Sequence, residues 1–287
     1  MEKLKRNRAA SFAVIALIYL LAGALGIWIY TSLPYSWWLS LLLADIAATV
    51  FTFLFSLLFK NASVYDPYWS VQPPVILAAF AFGRGLAVYG ILLLFVVFFW
   101  GIRLTANWAY TFGDLTHQDW RYTLLGEKTG KAYPLVNFVG IHLVPTLVVY
   151  GCVLPAAYAI REGLPFRIGS AAILLLSLGA TVMQGIADLE MHRFRKNRTG
   201  PFIRHGLWKY SRHPNYLGEI LMWWGVALSV TAASPANWYL SAGALANTLL
   251  FLLVSIPLAD GRQSKKAGFD AYKRETRMLL PIPKPKN

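Results

Sequence analysis

Seven apolar runs, near residues 12–32, 37–59, 85–104, 135–160, 167–188, 215–234 and 237–258, each hold about as many residues as a helix needs to cross a roughly 30 Å hydrocarbon layer. No water reaches the backbone in such a layer, so every run must satisfy its own N–H and C=O groups, which a helix does. The chain of 287 residues is therefore expected to be an all-α, polytopic membrane helix bundle of seven to eight transmembrane helices. Composition agrees, because 57% hydrophobic and 14% charged residues leave too few charges to cover a water-facing globule. The single cysteine, Cys152, rules out a disulfide framework or a cysteine metal cluster, and in its apolar stretch it reads as a small packed residue.

An eighth segment, 67–83, is short and carries Tyr68, Trp69, Gln72, Pro73 and Pro74, so periodicity leaves open whether it crosses or lines a cavity. Charge argues for a crossing. With eight helices and a cytoplasmic N-terminus, all of the 27 Lys and Arg residues except Arg84, Arg161 and Arg167 fall inside, the asymmetry that orients membrane proteins. Both termini are then cytoplasmic. The same topology accounts for most of the formal net charge of +14, so membrane lipids are expected as partners and nucleic acid is not. The first run lacks a small-residue cleavage site and reads as a retained helix.

The outer loops are short, whereas the inner segments 105–134, 189–214 and 259–287 mix Arg and Lys with Tyr, Trp, His and a few carboxylates. That mixture suits a large anionic ligand, and anchoring to acidic headgroups is the weaker alternative for the C-terminal lysines. Chemistry is expected at this face. Asp45, Asp66 and Glu219 fall within or at the edges of apolar runs, where a carboxylate is costly and marks a functional site or a partner on another helix. The five histidines lie on different segments without a His-x-x-x-His pair, so no metal site is expected. Ser211 beside His213 has no Gly-x-Ser-x-Gly elbow.

Residues 204–225 carry a polar loop straight into a membrane helix. Pro214 presets the backbone of a first helical turn, which predicts a helix start beside it. Asn215 and Glu219 then share one face, one turn apart, suited to a carboxamide or a sugar-like polyol. Arg212, His213 and Tyr216 sit on the same turn, where helix amides favour anionic groups.

The stretch Ser211-Arg-His-Pro-Asn-Tyr-Leu-Gly-Glu219 resembles the steroid 5-alpha-reductase family, in particular its bacterial membrane members. Weaker likenesses are Asp188 with Arg195 after a membrane helix, Trp100-Gly-Ile-Arg103, and a tail from Phe269-Asp-Ala-Tyr272 to Pro281-Ile-Pro283. The resemblance implies NADPH-dependent reduction of a carbon–carbon double bond conjugated to a ketone in a steroid-like or other bulky lipid that enters from the bilayer. It divides the chain into N-terminal transmembrane helices, 1–59, and a reductase-like membrane domain, 60–287, with cytoplasmic cofactor-binding loops. The setting implied is a bacterial inner membrane with the active site facing the cytoplasm and no obligate protein partner.

Carried over, the resemblance makes Asn215 and Glu219 contacts of the nicotinamide side. Asp188 and Arg195 grip the ribose and phosphate portion, with Arg103, Tyr210, Arg212, His213, Tyr216 and Arg262 close by. Arginine forks suit a phosphate-rich dinucleotide, and no Gly-x-Gly-x-x-Gly fingerprint is present, so the site is not a Rossmann site. At the substrate end the resemblance offers Asp66, Tyr68 and Trp100, with the proton donor left open. Trp100 stands where animal steroid reductases have tyrosine, and Asp260-Gly-Arg-Gln-Ser-Lys-Lys266 replaces their histidine-rich run.

The Arg-His-Pro-Asn-Tyr element is also similar to isoprenylcysteine carboxyl methyltransferases and phospholipid methyltransferases, which use S-adenosylmethionine. The Asn215-to-Glu219 continuation and the Asp188/Arg195 pair favour the reductase, since S-adenosylmethionine carries no phosphate. A transporter is a third reading, weakened by the absence of an evident internal repeat.

Overall fold

The computed structural model describes residues 2–282; Met1 and 283–287, including Pro283, Lys284 and Lys286 of the tail, lie outside the described residues. The order is α1 (Arg8–Ser32), α2 (Trp37–Phe59), α3 (Tyr68–Ala81), α4 (Val88–Thr111), α5 (Trp120–Arg161), α6 (Ile168–Asn197), α7 (Pro214–Ala233), α8 (Pro235–Gln263) and the short α9 (Phe269–Glu275). All except α3 and α9 are long and apolar enough to cross a membrane, and no strand occurs among the described residues. The protein is an integral membrane helix bundle.

Contacts fix which helix ends lie together. At one face the Leu115 amide donates to the Lys5 carbonyl (3.1 Å), Asn61 Nδ2 to the Leu115 carbonyl (2.8 Å), and Arg262 lies over the Trp120 ring (4.3 Å). Both ends of the described chain therefore gather at this one face. At the other, Arg84 reaches the Arg161 carbonyl (3.4 Å), Arg161 lies over Trp37, and Asn237 Nδ2 donates to the Tyr158 hydroxyl (3.0 Å). α3 joins the two. Its approach segment meets Tyr122 through Asp66, and its last turn packs Phe80 against Tyr30 and Trp37. It is only 14 residues long, about 21 Å of helix, and the contacts before and at its end lie toward opposite faces.

Pro73 and Pro74 sit inside α3 and lack the N–H groups that the Trp69 and Ser70 carbonyls would otherwise receive. α4 shields this gap at Gly101, where a Cβ would lie 2.7 Å from both the Ser70 carbonyl oxygen and Pro74. The same economy brings α6 against α7. A Cβ on Gly218 would stand 2.7 Å from the Ala180 carbonyl oxygen, and Ser177 Oγ donates to the Met222 carbonyl at 3.1 Å. Lipid tails are as apolar as leucine, so such close backbone approaches and interhelical hydrogen bonds hold a membrane bundle together. The largest core cluster centres on Leu77, Leu93, Val97, Trp100, Val153 and Met222. Cys152 is buried in it, as its surroundings in sequence imply.

Hydropathy misplaces three boundaries. α6 runs to Asn197 instead of 188, ending where Arg198 turns left-handed (φ 36°), so Asp188 and Arg195 lie on the helix and not after it. α8 runs to Gln263, which puts Asp260 and Arg262 on its last turns. The inner segment 105–134 is mostly helical, with only 112–119 outside helices. Hydropathy reports the bilayer and stops at its edge, whereas a helix continues through polar residues that favour it.

Gly218→Ala should force α6 and α7 apart and cost about 1–3 kcal/mol, the usual size of overpacking. Gly179→Ala, with nothing within 4 Å of the added carbon, should not lower stability. Thermal unfolding of the two variants in one detergent checks the contrast.

Candidate functional site

The first turns of α7 face α6 and α4, and the polar residues there form one connected chain. Glu219, 2% exposed, accepts from Trp100 Nε1 (2.8 Å) and Gln184 Nε2 (2.5 Å) on Oε2 and from Trp223 Nε1 (2.9 Å) on Oε1. Gln184 Oε1 accepts from Arg103 (3.0 Å), which also donates to Asp188 (2.7 Å). Asp188 accepts from Asn215 Nδ2 at 3.3 Å and so closes the path back to α7. An isolated charge at mid-membrane costs about 2.5–3.5 kcal/mol by insertion scales. Glu219 lies nearer the start of α7, and three convergent donors make its carboxylate tenable inside the bundle. One donor remains open: Arg103 Nε is buried and has no partner.

A cationic rim lies beyond this chain. Lys266 is held below the usual lysine range by partial burial and by the charges of Arg262, Arg198 and Arg195, so four cations share one neighbourhood. Like charges that gather repel, and a polyanion relieves that repulsion. Tyr216 stacks on His213 (5.2 Å) and packs against Phe251 (4.9 Å).

Arg212 and His213 are buried and hold the tail. Arg212 donates to Asp260 (3.0 Å) and to the Thr276 carbonyl (2.8 Å), and His213 Nε2 bonds the other Asp260 oxygen (3.0 Å). The Tyr272 hydroxyl donates to the Trp208 carbonyl, and Arg212 pairs its amide with the Arg277 carbonyl. These bonds strap the segment after α8 across the start of α7. Tyr210 is 48% exposed beneath Lys209 and does not join the chain; Arg195 is exposed and belongs to the rim.

The three residues offered for the substrate end separate. Trp100 joins the chain through Glu219. Tyr68 faces away from it, donating to Asp45 Oδ1 (2.9 Å). Asp66 accepts from the Tyr122 hydroxyl (2.6 Å) at the basic face. The segment around Tyr122 docks there through Asp119, whose amide donates to Ser63 Oγ (2.9 Å), while Arg262 covers Trp120.

Sequence reasoning missed Gln184 and the hydrogen bonds that Trp223 and Gln72 make to the buried carboxylates. Gln184 lies one turn before Asp188 and interrupts an apolar run, so its cost in the membrane was the available signal; attention to charge alone passes it by. No group of three or more His, Cys, Asp or Glu that could hold a metal occurs among the described residues.

A family described as "Protein of unknown function (DUF1295)" matches residues 52–276, and it includes steroid 5-alpha-reductase-like membrane proteins. The chain is similar to "Uncharacterized protein C594.04c" of Schizosaccharomyces pombe (strain 972 / ATCC 24843), 27% identical over 210 residues, which cover 62% of this chain and 61% of that protein. The chain thus matches less than two thirds of this relative's length. No solved structure matches.

Burial raises Asp66 from 3.8 to about 6, against the opposing hydrogen bond from Tyr122. A raised carboxyl contributes its stability fully below the unfolded value and loses it as pH rises through about 6. Between pH 5 and pH 7.5 the wild type should therefore lose more thermal stability than Asp66→Asn, measured by parallel melts.

Proposed function

The chain belongs to the DUF1295 family, and we propose that it is a membrane-embedded, NADPH-dependent reductase of a carbon–carbon double bond conjugated to a ketone in a bulky lipid. One observation carries this reading: a connected polar chain runs from buried Glu219 through Gln184, Arg103 and Asp188 to Asn215, on the side of the bundle where the last turns of α6 and α8 carry Arg195 and Arg262. A phosphate-bearing dinucleotide needs both parts, a cationic rim for its phosphates and oriented amide and carboxylate groups for its carboxamide and ribose. S-adenosylmethionine has no phosphate to meet the rim, so a methyltransferase remains the second reading.

NADPH, when bound, supplies the hydride. Arg195, Arg198, Arg262 and Lys266 hold the phosphates by charge, and the open Nε of Arg103 donates toward the ribose side. Asp188 would meet the sugar end, and Asn215 and Glu219 the nicotinamide side, with Gln184 linking Glu219 to Arg103. Trp100 bounds the substrate end, its indole N–H kept in place by Glu219. Hydride added at the β carbon would leave negative charge on the ketone oxygen, which a positioned donor stabilises better than reorganising water, and a proton taken from solvent at the α carbon completes the reduction. The strap through Asp260, Arg212 and His213 excludes water from the start of α7. The rim faces the cytoplasm, where its cations satisfy the charge asymmetry of the loops, and the setting is a bacterial inner membrane.

Millimolar NADPH should raise the unfolding temperature of the purified protein, and S-adenosylmethionine should not. Arg195→Ala and Arg262→Ala should each weaken NADPH affinity about tenfold, on the order of 1.4 kcal/mol, in line with loss of one charged hydrogen bond. Stabilisation by S-adenosylmethionine alone would make the protein a methyltransferase.

A further inference from the structure

α3 has a second face, turned away from the Glu219 chain. Ser70 and Pro74 press on α4 at Gly101, while Tyr68 and Gln72 line a groove between α1, α2 and α3 with a volume of about 260 Å³. Its floor is made of small side chains, among them Ala22, Gly23, Gly26, Ala44 and Ala48. Its rim includes Ile27 and Val75, 54% and 44% exposed on the lipid-facing side of the bundle. The groove therefore opens sideways, toward acyl chains and not toward water.

A polar cluster centred on Asp45 interrupts this mostly apolar surface. Asp45, 5% exposed, accepts from the Tyr68 hydroxyl on Oδ1 (2.9 Å) and from Gln72 Nε2 on Oδ2 (2.5 Å). Tyr68 stacks on Tyr65, whose hydroxyl shares a hydrogen bond with Thr146 (2.8 Å), and Thr146 in turn with Thr49 (2.9 Å), so the cluster is braced from α5. Every donor that Tyr68 and Gln72 send toward Asp45 is used. What is left over is an acceptor: Gln72 Oε1 is buried, on a side chain 8% exposed, and has no partner. An unmet buried acceptor costs about 1–3 kcal/mol.

We propose that this groove binds an apolar lipid alcohol taken laterally from the bilayer, its hydroxyl donating to Gln72 Oε1 beside the Asp45 carboxylate. A ketone or ester offers only acceptors and leaves Gln72 unmet. An ammonium would donate but would bring a positive charge into a groove that already ends at Arg84. The site is distinct from the cofactor chain and does not rest on the reductase reading.

The test uses the full-length protein in nanodiscs and two matched pairs: cholesterol with its methyl ether, and geranylgeraniol with its methyl ether. At least one alcohol should bind about tenfold more tightly than its ether, which keeps the body and loses the donor. Gly23→Leu, at a position where an added Cβ meets nothing within 4 Å, should fill the groove and abolish that binding at an unchanged unfolding temperature. Gln72→Met should remove the preference for alcohol over ether. The ring and chain pairs identify which kind of alcohol is taken. The proposal is overturned if neither alcohol binds, if each ether binds as well as its alcohol, or if binding survives Gly23→Leu. The wild-type comparison of alcohol and ether decides the matter even where a variant fails to fold.

Discussion

A carboxylate buried inside a membrane bundle must be met from several directions, and Glu219 sets that demand for the rest of this structure. Its three donors come from α4, from α6 and from its own helix one turn on. No single helix could supply them. The approach of α6 to α7 that brings Gln184 within reach depends on Gly218, because a side chain there would collide with Gln184 and the Ala180 carbonyl. Packing and polar satisfaction are thus one condition: the glycine permits the contact, and the glutamine uses it to hold the carboxylate. From Gln184 the chain continues through Arg103 to Asp188 and Asn215, and so reaches the basic face.

α3 divides the molecule's chemistry. Trp69 packs against Trp100 on the Glu219 side, ring to ring at 6.4 Å, while Tyr68 and Gln72 serve Asp45 on the other. Two intramembrane carboxylates are therefore satisfied independently, each by donors from neighbouring helices. The two surroundings differ in what they lack. Beside Glu219 an arginine donor is left open and cations lie at the rim; beside Asp45 a carboxamide acceptor is left open and apolar surface surrounds it. The first environment suits a polyanion, the second a neutral lipid with a donor.

Much of the fold was legible because the bilayer imposes length and apolarity on each crossing; the short α3 falls below that length, and its reach toward both faces shows only in the packed contacts of Asp66 and Phe80. The polar helix ends were not legible, since nothing in hydropathy distinguishes a helix leaving the membrane from a loop; α6 beyond Asp188 and α8 beyond 258 are the instances. At the site, Pro214 and the spacing of Asn215 and Glu219 correctly indicated a shared helical face. Their partners were illegible. Which residue of a distant helix faces Glu219 depends on helix rotation and close approach, and neutral Gln184 carries no charge to mark it. Asp45 stood alone in the sequence, and its partners on α3 emerge only when α2 and α3 are packed.

NADPH affinity, measured by the fluorescence of the bound nicotinamide, tests the central claim most directly when wild type is compared with Asn215→Ala and Glu219→Gln, each first shown to be folded by its unfolding transition. The account predicts NADPH binding by the wild type and a loss of about tenfold or more in both variants, about the effect of removing a hydrogen bond to a charged group. Undiminished affinity in folded variants, or no binding by the wild type, would contradict it.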